Sequence, residues 1–143
     1  MALSNHEIVL MPGPDGLAAT MVFDVPAAAA GALADAVGYE RDLLGRGALE
    51  SEDILRLRAL GDLAERLRPQ QDGDMAVLRL DADDIARAAD AAERFVALRD
   101  IEAYQTPEDR ARIAAVRDIV PALRDVQARL MLAGLGASEA ALT

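Results

Sequence analysis

The sequence predicts a mostly helical α+β protein, in which four helices pack on a small antiparallel sheet with an N-terminal hairpin. Hydrophobic residues make up 52% of the chain and aromatic residues only 3%, so the core must be built from Ala, Leu, Val and Ile. Ala and Leu are strong helix formers, and the β-branched residues cluster in a few short runs. The length of 143 residues fits one domain spanning residues 1–143.

Charge and residue usage exclude several classes of function. The chain has 25 acidic residues against 15 basic ones, a net charge of -10 that disfavours direct contact with nucleic acid or with an anionic membrane. It has no cysteine, which suits a reducing compartment. We find neither a signal-peptide pattern nor the ~20 continuous apolar residues of a membrane span. We therefore expect a cytoplasmic protein.

The first predicted elements are two strands followed by a helix. Residues 7–11, EIVLM, are rich in strand formers, and the five-residue turn PGPDG separates them from a second strand at 17–25. This arrangement predicts a hairpin with a longer loop. Pro26 ends the second strand and starts a helix, which continues with apolar residues at helical spacing to Gly45.

A second helix and a third strand follow. Ser51, with two acidic residues after it, is the predicted cap of the second helix. That helix carries one apolar stripe: Ile54, Leu57, Leu60, Leu63 and Leu67. Residues 75–80, MAVLRL, alternate as a strand does.

The third and fourth helices have clear start signals. Asp81 is the predicted N-cap of the third helix, whose apolar side comprises Ile85, Ala88, Ala92, Phe95 and Ile101. Thr106, Pro107 and Asp109 predict the start of the fourth helix. Pro121 lies inside this helix and should bend or interrupt it.

The two halves of the chain resemble each other. A shift of 56 residues gives seven identities in the eighteen positions from Ser51, and a shift of 55 aligns the preceding strand and helix with their later counterparts. We interpret this as two pseudo-symmetric β-α-α repeats, at about 21–68 and 76–124, packed around a pseudo-twofold axis. The alternative is two unrelated amphipathic helices in an Ala-rich chain.

No motif indicates catalysis or a cofactor. The single histidine, His6, has no evident ligand or acid partner, and the Asp residues at 72–84 lack the spacing of a calcium loop. Helix capping accounts for Asp81, Asp83 and Asp84. No glycine cluster has the form of a phosphate loop, and no serine lies in a nucleophile elbow. We predict no enzyme activity, no cofactor and no metal.

Three functions remain open. The leading prediction is a small interaction, adaptor or assembly protein that binds another protein or itself as a homodimer. Its C-terminal tail, 131–143, is too glycine-rich for a stable helix and could dock on a partner through Met131, Leu132 and Leu135. One alternative is an acidic decoy for a basic nucleic-acid-binding protein. Another is a small-molecule module with an apolar cavity between the repeats, lined by Met21, Phe23, Leu78 and Phe95.

Overall fold

The computed structural model contains three strands and four helices. It describes residues 4–13, 16–47, 50–68, 75–101 and 104–142, with side chains from residue 20 to residue 132 within these ranges. The elements are β1 (Ser4–Gly13), β2 (Gly16–Pro26), α1 (Ala27–Gly45), α2 (Ser51–Leu67), β3 (Met75–Asp81), α3 (Ala82–Asp100) and α4 (Pro107–Leu142). The prediction of a mostly helical α+β protein with a small antiparallel sheet is confirmed.

The sheet has the order β1-β2-β3, and both pairings are antiparallel. Successive side chains of a strand point to opposite faces, and only one face of this sheet is covered by helices. The covered face carries Met21, Phe23, Val25, Leu78 and Leu80, all of which are buried. On the opposite face Met75 and Val77 are 50% and 61% exposed.

The predicted hairpin is confirmed, but its loop is shorter than the sequence suggested. Pro12 pairs with Leu17 and Gly13 pairs with Gly16, so both strands continue into the PGPDG segment. Residues 14 and 15 lie outside the described residues. The ladder continues because proline and glycine cost little at the last pairs of a strand, where hydrogen bonds are fewest.

Helices α1 and α3 lie side by side and contact the sheet. Pro26 is both the last residue of β2 and the N-cap of α1, so the helix begins at Ala27, one position later than predicted. The buried side of α1 consists mainly of alanines together with Leu33 and Val37, and that of α3 combines alanines with Ile85 and Phe95. Small side chains allow the two helices to pack closely.

The predicted caps are confirmed at two helices and displaced at one. The Oδ1 atom of Asp81 accepts from the Asp84 N–H at 2.8 Å, and the Oγ1 atom of Thr106 accepts from the Asp109 N–H at 3.1 Å. At α2 the cap residue is Glu50 instead of Ser51. In a capping box, the side chain three residues after the cap accepts a hydrogen bond from the N–H of the cap residue. Asp53 has this spacing from Glu50 and accepts from the Glu50 N–H.

Two apolar residues of the predicted stripes lie largely in solvent. Ile54 is 45% exposed at the start of α2, and Ile101 is 79% exposed just beyond the end of α3. In α2, Leu60, Leu63 and Leu67 are buried, whereas Leu57 is half-buried. The first turn of α2 and the residue after α3 extend past the core, so the apolar residues there stay exposed although they continue the stripes.

Helix α4 corrects one prediction about the tail. It continues through Pro121 and on to Leu142, so the proline does not interrupt it and the segment from residue 131 to residue 142 is helical. Each glycine costs only about 1 kcal/mol in a helix interior. Extending a formed helix needs no new nucleus, and the Ala and Leu residues around these glycines favour it. Whether α4 bends at Pro121 stays a prediction.

Candidate interaction groove

An open groove of about 860 Å³ lies between α1 and α2. We call it the α1/α2 groove. Its walls come from the last turns of α1 and from the outward side of α2. Ten residues line it: Arg41, Asp42, Gly45, Arg46, Ile54, Leu57, Arg58, Gly61, Asp62 and Glu65.

Two glycines leave this groove open. A Cβ atom added at Gly61 would lie 3.5 Å from the guanidinium carbon of Arg41, which is an ordinary contact with a flexible side chain. A Cβ atom added at Gly45 would lie 3.9 Å from the Leu57 Cδ2 atom. Both positions therefore have room for a Cβ atom. Glycine inside a helix costs about 1 kcal/mol relative to alanine, so Gly61 weakens α2 in order to leave this space.

The groove carries equal numbers of the two charges, and all of them are unpaired. Three arginines and three acidic residues line it, so the formal charges cancel. Within the described residues, none of these six side chains forms an ion pair or a hydrogen bond. The groove therefore offers both donors and acceptors to a binding partner.

Apolar side chains accompany these charges. Ile54 lies on the groove wall and is 45% exposed, and the neighbouring Leu55 is 65% exposed. Leu57 forms part of the same lining and is half-buried. An exposed apolar patch bordered by charged groups is typical of protein interaction sites.

The surface between α3 and α4 is joined by ion pairs instead. Arg117 binds Asp100 at 3.2 Å, and Arg99 binds Asp109 at 3.4 Å. Arg124 binds Asp90 at 2.7 Å and Glu93 at 3.0 Å, and these carboxylates raise the pKa of the Arg124 guanidinium.

The Asp100–Arg117 ion pair and the two glycines of the α1/α2 groove lie at corresponding sequence positions in the two halves. Residue 45 corresponds to Asp100 at a shift of 55, and residue 61 corresponds to Arg117 at a shift of 56. The two glycines that open the α1/α2 groove thus stand at the positions that an ion pair fills between α3 and α4.

A smaller cleft of about 420 Å³ lies between α1 and the α3/α4 side of the molecule. We call it the Arg99 cleft. Its lining comprises Asp35, Gly38, Tyr39, Asp42, Arg68, Phe95, Arg99 and Arg112. The ring of Tyr39 meets that of Phe95 edge-on at 5.6 Å, and the Arg99 guanidinium lies 6.0 Å from the centre of the Phe95 ring. Arg112 binds Asp35 at 3.4 Å, which neutralises part of the cleft.

A buried carboxylate ties α2 to the start of α3. Asp84 is buried and accepts two hydrogen bonds from Arg66, at 2.7 and 2.8 Å. Burial favours the neutral acid, but the bonds from Arg66 and the Asp81 N–H outweigh it and hold the pKa of Asp84 below its usual value. Burial and the nearby Asp84 charge raise the pKa of Asp81. This pair is explained by capping and helix packing.

A second buried acid lies between α1 and α3. The Oε1 atom of Glu40 binds Arg94 at 2.8 Å, and the Glu40 side chain is 10% exposed. Its Oε2 atom is buried with no hydrogen-bond partner among the described residues. Because Glu40 lines neither cleft, it supports the contact between the two central helices instead of a binding site.

The structure separates the residues that were predicted as site residues. Met21, Phe23 and Leu78 are buried on the inner face of the sheet and line neither cleft, whereas Phe95 lines the Arg99 cleft. In α4, Met131 and Leu132 are 58% and 70% exposed. The side chain of Leu135 lies outside the described side chains.

The α1/α2 groove was not predicted, although one signal in the sequence pointed to it. Gly61 interrupts an otherwise strong helix pattern and aligns with Arg117 when the halves are compared. A glycine in a helix interior often has a packing or functional reason. The groove becomes visible only when Gly45 is placed opposite Gly61, and this requires the packing of α1 on α2.

The described part of the chain has neither a metal site nor a membrane-spanning helix. No three of its His, Asp and Glu side chains come together as a metal site would need. None of its helices is both long and apolar enough to cross a bilayer. No protein-family model matches the chain, and no curated protein or solved structure matches it either.

Proposed function

We propose that this chain is a small acidic interaction protein without catalytic activity, which acts by binding another protein or its own copy through the α1/α2 groove. One observation carries the proposal. Six charged side chains of both signs line the groove together with an exposed isoleucine, and none of the six forms an ion pair or a hydrogen bond within the described residues. Charges that meet complementary charges on a partner give specificity and speed association.

The shifted titratable groups support a binding role over a catalytic one. Perturbed pKa values often mark active sites, because catalysis needs acids and bases tuned to their task. Here Asp81, Asp84 and Asp109 are engaged in helix caps, and Arg66 and Arg124 bind carboxylates on neighbouring helices. Structural roles therefore account for each of these shifts.

We further propose that the two halves, at about 21–68 and 76–124, are pseudo-symmetric β-α-α repeats. Two features of the elements support this. The first is that α1 and α3 each span 19 residues and start 55 residues apart, at Ala27 and Ala82. The second is that Phe23 and Leu78, at the centre of the β2–β3 ladder, are a directly opposed pair that is also 55 residues apart. The shift that aligns the strands therefore agrees with a twofold axis at the middle of their ladder.

Contacts between α1 and α3 give independent support. Tyr39 touches Phe95, and Glu40 binds Arg94. The residue 55 positions after Tyr39 is Arg94, and the residue 55 positions before Phe95 is Glu40. The two contacts therefore correspond to each other, as a twofold axis between the helices requires. A crystal structure tests the proposal. One rotation near 180° should superpose β2, α1 and α2 on β3, α3 and the first part of α4, and helices with unrelated directions would contradict it.

The acidic-decoy alternative has less support. A decoy would need rows of free carboxylates that imitate phosphates. Asp90, Glu93 and Asp100 in α3 instead bind arginines of α4.

Small-molecule binding is a second candidate function, and the Arg99 cleft favours it because two aromatic rings and three arginines line that space. A thermal-shift screen of aromatic carboxylates tests it. Stabilisation that is lost in Phe95→Leu would support binding there, and no stabilised hit would contradict it.

The groove proposal is tested by closing the groove. Gly45→Asp with Gly61→Arg introduces the residue types found at Asp100 and Arg117, and a Cβ atom fits at both sites. We expect this double variant to fold and to lose partners that the wild-type chain captures from native lysate, measured by quantitative mass spectrometry. Gly31→Arg is the control, because open space surrounds that position and it lies outside the groove. Equal capture by all three proteins would contradict the proposal.

A further inference from the structure

We infer that the occupant of the α1/α2 groove is a second copy of this chain, in a dimer with twofold symmetry. The inference rests on the proposed function and names the partner of that same groove. In such a dimer the α1 and α2 helices of both copies face each other, and the same residues contribute from each side.

Charge balance is the first argument. The chain carries a net charge of -10, so most pairings of its surface with itself are repulsive. The groove lining is the exception, because its three arginines are matched by Asp42, Asp62 and Glu65. Two such surfaces meet without net repulsion.

Self-complementarity is the second argument. In a twofold interface, if residue i of one copy meets residue j of the other, then j also meets i. A lining with equal numbers of cations and anions can satisfy every charge in this way, whereas a groove of one sign cannot. Within the described part of one copy, the six charged side chains form no ion pair or hydrogen bond. A second copy can supply an oppositely charged partner for each of them.

The apolar residues give the third argument. Ile54 and Leu55 follow each other on α2, and both are largely exposed. Across a twofold axis these side chains would pack against their own counterparts and against the half-buried Leu57. Stable interfaces place such an apolar centre inside a charged rim.

Other exposed apolar patches carry less weight. Met75 and Val77 lie on the open face of the sheet, and Met131 and Leu132 lie on α4. The α1/α2 groove differs from both because its balanced, unpaired charges indicate what kind of surface fits against it.

The test uses charge reversal in two complementary variants. Variant one carries Arg41→Glu, Arg46→Glu and Arg58→Glu, which make the groove wholly acidic. Variant two carries Asp42→Arg, Asp62→Arg and Glu65→Arg, which make it wholly basic. Three of these positions lie at the end of α1 and three on α2, and all six side chains are exposed. The substitutions should therefore leave the core intact.

Sedimentation equilibrium of the full chain gives the readout. We expect the wild-type chain to dimerise and each variant alone to dimerise more than about tenfold more weakly, as like charges at an interface do. An equimolar mixture of the two variants should recover a one-to-one heterodimer. Recovery in the mixture also shows that both variants are folded.

Two results would overturn the inference: a wild-type chain that stays monomeric, or a dimer whose affinity neither variant changes. These outcomes differ from failure of the proposed function. If the chain is monomeric but Gly45→Asp with Gly61→Arg abolishes capture of another protein, the groove is still the binding site and only the identity of its occupant is wrong.

Discussion

The α1/α2 and α3/α4 hairpins have similar interiors and different surfaces. Leu60, Leu63 and Leu67 are buried in α2, as Val116, Ile119 and Leu123 are at the corresponding positions of α4. Outside this core, four ion-pair contacts join α3 to α4. Among the described residues no ion pair joins α1 to α2.

This difference separates packing from binding. Apolar burial is nearly independent of which surface residues surround it, so both hairpins can keep the same stripe while their outer residues change. Four ion-pair contacts engage charges of the surface between α3 and α4. Within the described residues, the charges that line the α1/α2 groove form no such pairs, and we propose that they meet another molecule instead.

The largest effects should come from the shared core. Leu63→Ala and Ile119→Ala each delete a fully buried side chain and should each lower the free energy of unfolding by about 2–5 kcal/mol. Urea denaturation of both variants measures this. Losses that differ severalfold would show that the two hairpins do not have equivalent interiors.

The next effect concerns the tie between α2 and α3. Asp84→Asn removes the charge that Arg66 binds and should cost about 1.5–3 kcal/mol at pH 7. The corresponding position in α1 is Ala29, which carries no such tie. The tie between Arg66 and Asp84 therefore has no counterpart at the start of α1.

The same contact predicts a dependence on pH. The pKa of Asp84 is lowered in the folded chain, so its stabilisation is complete above the usual value of 3.8 and is lost as the pH falls through the lower folded value. The difference in unfolding free energy between wild type and Asp84→Asn should shrink below about pH 4. A difference that stays constant down to pH 2 would contradict the role of the charge.

The caps of α2 and α4 should differ. Thr106→Ala removes a hydroxyl that accepts a hydrogen bond from the chain and should cost about 0.5–2 kcal/mol. Glu50 occupies the equivalent position before α2, and Glu50→Ala should cost less because Glu is not a favoured N-cap. Thermal denaturation of the two variants checks the order, and a larger loss for Glu50→Ala would reverse it.

The smallest effect tests the ion pairs themselves. Arg124→Met breaks two exposed pairs, each worth about 0.2–1 kcal/mol, and the loss should diminish at high salt. Arg68 is the residue 56 positions earlier and forms no ion pair within the described residues. Arg68→Met should therefore change the unfolding free energy by less than about 0.5 kcal/mol. Equal losses of unfolding free energy in the two variants would show that the ion pairs of Arg124 do not stabilise the α3/α4 surface.

Local chemistry explains what could be predicted from the sequence. The starts of α3 and α4 depend on residues within three positions of each other, such as Asp81 with Asp84 and Thr106 with Asp109. Strand alternation likewise predicted β3 at residues 75–80, and the structure has it at Met75–Asp81. These signals are short-range, so they survive without knowledge of the fold.

Features that depend on neighbours distant in the chain could not be predicted. The end of α4 was expected to be irregular, because the propensity of each glycine was weighed without the preformed helix that leads into it. The bridge from Asp100 to Arg117 requires the packing of α3 on α4. The α1/α2 groove is open at Gly45 and Gly61 because glycine has no side chain. The absence of a side chain produces no periodic pattern in the sequence.

Nuclear magnetic resonance of the full chain over a range of concentrations tests the central claim, that two copies of the chain meet through the α1/α2 surface and not through the α3/α4 surface. On dilution from millimolar to micromolar chain, we expect the amide signals of residues 41–46 and 54–65 to shift, because the dimer dissociates there. The signals of the corresponding residues in the other half, 96–101 and 110–121, should stay in place. Shifts confined to the α3/α4 residues, or no concentration-dependent shift in either hairpin, would contradict the account.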